Sequence, residues 1–167
     1  LEDISNLLHS GADKVSINTA AVQNRNLVKE ASNKYGASTI VVAVDAKKVS
    51  ANKWKVFTHG GRNATDLDVR DYCNEVEALG AGEILLTSMD RDGTKTGFDN
   101  DLLKTITSKL SIPVIASGGV GNLEHMYEGV SIGGASALLA ASIFHFGEYR
   151  IEDVKRYLAD KNIPVRI

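Results

Sequence analysis

Apolar and polar positions along the chain fall into two alternating patterns. Short, continuously apolar and β-branched runs occur at "KVSIN" (14–18), "TIVVAVDA" (39–46), "EILLTSM" (83–89), "PVIAS" (113–117) and "ALLAASI" (137–143). Unbroken runs of this kind predict parallel strands buried on both faces rather than half-exposed ones. Between them, amphipathic spacing predicts helices over about 22–35, 66–79, 99–109, 122–130 and 151–161, and "LEDISNLLHSGA" reads as a further helix body with no cap before it. Gly11, Gly36 and Gly80 stand where helix C-caps belong. The segment 47–61 breaks the alternation and reads as a small hairpin with "SANK" at its turn.

Strand–helix alternation predicts an α/β fold with a parallel sheet, either doubly wound or closed into a barrel. An internal repeat separates the two. "GADKVSINTAA" (11–21) aligns with "GASALLAASIF" (134–144), placing Asn18-Thr19 on Ala141-Ser142, and "LEDISNLLHSGA" aligns with "LEHMYEGVSIGGA". Four strand–helix steps separate the copies, so two such halves would make an eightfold barrel of about 250 residues. The expectation is a (β/α)8 TIM-barrel family chain covering about strands 4–8. Residues 1–167 then form a single partial barrel domain that lacks the first three strands.

Composition narrows the function. The 167 residues are 43% hydrophobic and 24% charged, as for a domain with a real core. Net charge is −2 with Lys and Arg scattered, which argues against nucleic acid or an anionic membrane surface as a partner. The longest apolar run is too short to span a bilayer, and no signal-peptide pattern is present. The single Cys73 excludes a disulfide framework and suits a reducing, cytoplasmic compartment. His9, His59, His125 and His145 lack metal-ligand spacing, and neither a nucleophile elbow nor a dinucleotide fingerprint occurs, so no metal and no cofactor are expected.

In barrels of this kind the chemistry collects at the carboxyl ends of the strands. Those ends carry Asn18 and Thr19, then Asp45, then Thr87, Ser88, Asp90 and Asp92, then Ser117, Gly118 and Gly119, and finally Ser142 and His145. Asp45 interrupts an apolar strand, where a carboxylate is costly unless it is paired or faces the open mouth. It reads as a general acid/base or as a salt bridge with Lys47, and the residues alone leave both open. "SGGVGN" (117–122) sets two glycines before a helix that Asn122 would cap, a cradle suited to phosphate, and "AAS" (140–142) closes the next strand beside it. Because Asn18-Thr19 is the repeat mate of Ala141-Ser142, a second phosphate site is expected opposite the first. The amino ends carry Asp13, Lys14 and Glu83, which on physics alone read as stabilising bottom-face charges.

"GADKVSINTAAV", "VVAVDAK", "GAGEILLTSMDRDGTKTGFD", "PVIASGG" and "LAASIFHF" closely resemble the cyclase subunit family of imidazole glycerol phosphate synthase, over essentially all 167 residues. "SINTAAV" and "DRDGTK" separate it from the sister aldose–ketose isomerase of histidine biosynthesis, which shares the barrel and both phosphate sites. The resemblance implies a lyase that closes an imidazole ring. It takes a bis-phosphorylated formimino nucleotide and ammonia to imidazole glycerol phosphate and aminoimidazole carboxamide ribotide.

Asp45 matches one of the family's two acid/base aspartates, and the other belongs to the first strand. Asp92 matches a further active-site acid. Thr87, Gly93, Gly119, Ala141 and Ser142 match one phosphate and substrate rim, completed by Ser117 and Gly118; Asn18 and Thr19 match the other rim. Asp13, Lys14 and Glu83 match a contact to a glutaminase subunit or domain and the charges ringing the ammonia entrance, which replaces the stabilising reading of these three. Arg91 and Lys95 are expected on the solvent side or closing the loop, and Asp90 has no assignment. With one of the two aspartates, the 167 residues alone are expected not to turn over. Two readings compete with the cyclase: a non-catalytic phosphate-binding fragment that self-associates through open barrel edges, and the isomerase.

Overall fold

The computed structural model describes residues 1–166. Helix α1 (Glu2–His9) leads into strand β1 (Val15–Ile17), and helices α2 (Thr19–Gln23) and α3 (Arg25–Tyr35) follow. The predicted single helix over 22–35 is thus two. Asn24 is extended between them, and its side chain accepts the Asn26 amide at 3.1 Å, so the residue that ends α2 caps α3.

Strand β2 (Ile40–Ser50) continues past its apolar part into an exposed polar arm that pairs with β3 (Lys53–Thr58). That is the expected hairpin, and it gains a third strand, β4 (Asn63–Asp68). "NATDLD" has no apolar alternation because β4 pairs only with β3 and none of its residues is buried, so periodicity could not reveal it. Helix α4 (Val69–Ala78), capped by Asp68, then leads to β5 (Glu83–Ser88), α5 (Asn100–Thr107), β6 (Val114–Ser117) and α6 (Leu123–Ser131). The expected strand over 137–143 shortens to β7 (Ala137–Leu138). The chain leaves the sheet there and turns into α7 (Ser142–His145), before α8 (Ile151–Asp160). Within the sheet, β7 has β6 as its one neighbour, so nothing on its far side holds the chain extended.

The seven strands form one sheet. Its backbone is a parallel run β1-β2-β5-β6-β7, the order of barrel strands four to eight, with β3 and β4 added antiparallel on the second half of β2. Alternate residues divide the sheet into two faces. Val42, Val44, Ala46, Ile84, Leu86, Val114 and Ala116 are buried in a core that also takes in Val28, Val76, Leu102, Ile106 and Met126 from the helices. The other face, with Ala43, Asp45, Leu85, Thr87, Ile115 and Ser117, is only half-buried. It is the concave side of an open arc.

Buried Cys73 lies on the inner side of α4, and burial pushes its thiol up to about 12, so it stays protonated and inert. No helix among the described residues is long and apolar enough to cross a membrane.

One buried carboxylate ties the hairpin to the helical layer. Asp99, 8% exposed, caps α5 by accepting the Leu102 amide at 3.0 Å and accepts the Trp54 indole N–H from β3 at 3.1 Å. Replacing it by alanine removes the cap and strands a buried donor, at a cost of roughly 2–4 kcal/mol. Denaturant unfolding of Asp99→Ala against exposed Asp101→Ala checks this. Equal small losses in the two variants would contradict the bridging role.

Candidate active site

Register sets the site. Asp45 on β2 stands opposite Thr87 on β5, and Thr87 opposite Ser117 on β6, so three polar side chains line up on the concave face at the carboxyl ends of adjacent parallel strands. Asn18, just beyond β1, donates its Nδ2–H to Asp45 Oδ2 at 3.0 Å. No lysine or arginine among the described residues forms an ion pair with Asp45. Lys47, the alternative partner, instead places its Nζ 5.6 Å from the centre of the Phe57 ring. Asp45 is therefore held by a neutral donor and faces a cavity of about 340 Å³ lined by Gly60, Gly61, Thr87, Met89 and Asp92.

Asp92 also lines a second cavity of about 170 Å³, with Gly93, Lys95, Ser117, Gly118, Gly119, Val120 and the stretch Leu139–Ser142. This is the expected glycine cradle with "AAS" beside it. Asn122 caps α6 by accepting the His125 amide at 2.9 Å, as the sequence suggested. The amides of Gly118, Gly119 and Val120 donate to no backbone or side-chain acceptor among the described residues.

The two glycines have a second purpose. Both have positive φ (91° and 100°), and a Cβ on Gly119 would lie 2.3 Å from Gly97 O and 2.7 Å from Arg91 Cβ; one on Gly118 would lie 2.8 Å from Ser88 O. The loop 89–98 thus rests directly on the turn, sealed by the Gly97 amide donating to Gly119 O at 2.8 Å. Within the loop, Arg91 donates to Thr96 Oγ1 and closes it, as one of its two expected roles required. Asp90, unassigned by the sequence, accepts the Lys48 amide at 2.7 Å and pins the loop's start to the hairpin arm. Lys95 is exposed, as expected, and also lines the cradle.

The remaining expected residues are less concentrated. Thr19 Oγ1 accepts the His59 amide at 2.9 Å, so the second rim meets the hairpin end, while Asn18 Oδ1 is buried without a partner. Lys14 and Glu83 form an ion pair at the amino ends of β1 and β5, the opposite end of the sheet from Asp45, and Asp13 is exposed beside them. Sequence reasoning missed Gly60, Gly61 and Met89 in the Asp45 cavity. "HGG" after the hairpin, similar to "SGG" after β6, was the available signal. His59, Gly60 and Gly61 all have positive φ, which lets the hairpin end turn back over the mouth. A larger cavity of about 510 Å³ between β7, α6 and α8 is apolar and holds none of these groups. No cluster of three or more metal-ligating side chains occurs among the described residues.

Carboxylates and polar side chains collect at the carboxyl ends of a parallel sheet of this order, the end at which (β/α)-barrel enzymes carry their chemistry. Residues 1–150 match the family described as histidine biosynthesis protein, and the chain belongs to that family. Its members are barrel enzymes of histidine biosynthesis, the cyclase type and the isomerase type.

The glycine seat makes a graded prediction. Gly93, with positive φ, has nothing within 4 Å of a Cβ, whereas Gly119 combines positive φ with a backbone clash. Gly93→Ala should cost only the backbone strain, about 1 kcal/mol, and Gly119→Ala more, with the loop displaced. Limited trypsinolysis after Arg91 and Lys95 reads the loop directly. Equal cleavage rates in the two variants would refute the seat.

Proposed function

We propose that this chain is of the cyclase type, acting on a bis-phosphorylated formimino nucleotide and ammonia to give imidazole glycerol phosphate and aminoimidazole carboxamide ribotide. The observation that carries the choice over the isomerase is the Lys14–Glu83 pair at the amino ends of the strands. An aldose–ketose isomerisation needs no ammonia, and so no polar entrance at that end. The quoted stretches "SINTAAV" and "DRDGTK" favour the same choice.

In this reading one phosphate of the substrate occupies the cradle of Gly118, Gly119 and Ser142, and the other lies toward Asn18 and Thr19. The reacting carbons then lie over Asp45. Closing the ring makes and breaks C–N bonds, and each event moves a proton. Asp45, fixed by Asn18 and in no ion pair among the described residues, is the acid/base these residues supply. Asp92 stands where the two cavities meet and bounds the path between phosphate and reacting centre. Ammonia enters past Lys14 and Glu83 from a glutaminase subunit or domain that contacts Asp13.

Asp45 matches one of the two acid/base aspartates that the cyclase family uses, and turnover needs both. In a protein that includes both, Asp45→Asn should lower the ammonia-dependent kcat by roughly 10²–10⁴-fold while nucleotide affinity changes little. An ordinary kcat in that variant would refute Asp45's role, and ammonia-independent interconversion of aldose and ketose forms by the parent would assign the isomerase.

The open arc favours self-association as a second reading. In the sheet, β1 pairs only with β2 and β7 only with β6, and Leu139 on the concave side is 42% exposed. Light scattering on the 167-residue chain should give a dimer or larger. A stable monomer at high concentration would exclude this reading.

A further inference from the structure

Of the residues that line the glycine cradle, Asp92 and Lys95 alone are charged, one of each sign. A phosphate entering it therefore meets a carboxylate, and the cradle's attraction for the anion depends on Lys95. The Lys95 backbone is fixed there: it has φ 57°, and a Cβ on Gly121 would lie 2.6 Å from its carbonyl oxygen and 2.7 Å from its Cβ. Its ammonium is already engaged, in an ion pair with Glu148 from the segment between α7 and α8.

We propose that Lys95 is the countercharge of the bound phosphate and that Glu148 is its resting partner, displaced when the phosphate arrives. This rests on the reading of the cradle as a phosphate site. The exchange is physically easy. The Lys95 and Glu148 side chains are 46% and 36% exposed, so their pair is weak and screened by salt. A phosphate dianion carries more charge than a carboxylate, and it also meets the free amides of Gly118, Gly119 and Val120. Glu148 thus competes with the ligand for one cation, and the 146–150 segment is tethered to the loop 89–98 only while the cradle is empty of anion.

Competition has a signature that simple charge loss lacks. Titrating the 167-residue chain with inorganic phosphate, with chloride at equal ionic strength as the control, can be followed at the Gly118 and Gly119 amides by NMR. Glu148→Gln should bind phosphate about two- to fivefold more tightly than the parent. Lys95→Met should bind about tenfold or more weakly. The double variant should match Lys95→Met, because without the lysine there is nothing for Glu148 to withhold. If the cradle amides respond but Glu148→Gln binds no tighter than the parent, the exchange is wrong and the cradle stands. If those amides respond to phosphate no more than to chloride in the parent and in Glu148→Gln, the phosphate reading falls and the exchange with it.

Discussion

Strand β2 has three neighbours, and the mouth of the sheet depends on that arrangement. Along its first half it pairs in parallel with β1 and β5; along its second half β3 takes the place of β1. Asp45 stands at the changeover, opposite Thr87 on one side and Phe57 on the other. Because β1 ends before this point, Asn18 at its end reaches Asp45 by a side-chain hydrogen bond. A half-buried carboxylate in an apolar strand is tolerable here because a neutral donor satisfies one oxygen and the other side opens into a cavity. Had the strand slipped by one residue, Asp45 would face the helices and Val44 the mouth.

The loop 89–98 is the second element of the site, and it is braced at both ends by the same hairpin. Asp90 takes the Lys48 amide at its start, and Asp99 takes the Trp54 indole just beyond its end. Between these points the loop lies on the Gly118-Gly119 turn. The antiparallel addition to the barrel sheet therefore has a function at the mouth: it fixes the loop that carries Asp92 between the two cavities. The glycines serve two ends at once, leaving amides free and letting the loop approach.

Much of this was legible in the sequence. The five parallel strands, their order and the end at which polar residues collect followed from apolar runs and the internal repeat. Asp45, Thr87, Asp92 and the "SGG" turn fell where strand ends place them. What escaped were features set by tertiary pairing. Strand β4 has no periodicity because its one neighbour leaves none of its residues buried, and β7 is short because no second neighbour in the sheet holds it. Asp90 had no assignment because its partner, the Lys48 amide, is a backbone group distant in sequence. Lys95 is exposed, as expected, but its place on the rim of the cradle is set by the backbone that holds it, here a left-handed residue against Gly121.

In the proposed cyclase, two adjoining cavities that share Asp92 form one site for a nucleotide, with a phosphate in the glycine cradle and its reacting carbons at Asp45. A crystal structure of the chain with the bis-phosphorylated formimino nucleotide tests it most directly. One phosphate should lie on the Gly118–Gly119 amides beside Ser142, with the reacting centre within hydrogen-bond reach of Asp45. A nucleotide seated in the apolar cavity between α6 and α8, or with its phosphate away from the glycine turn, would contradict it.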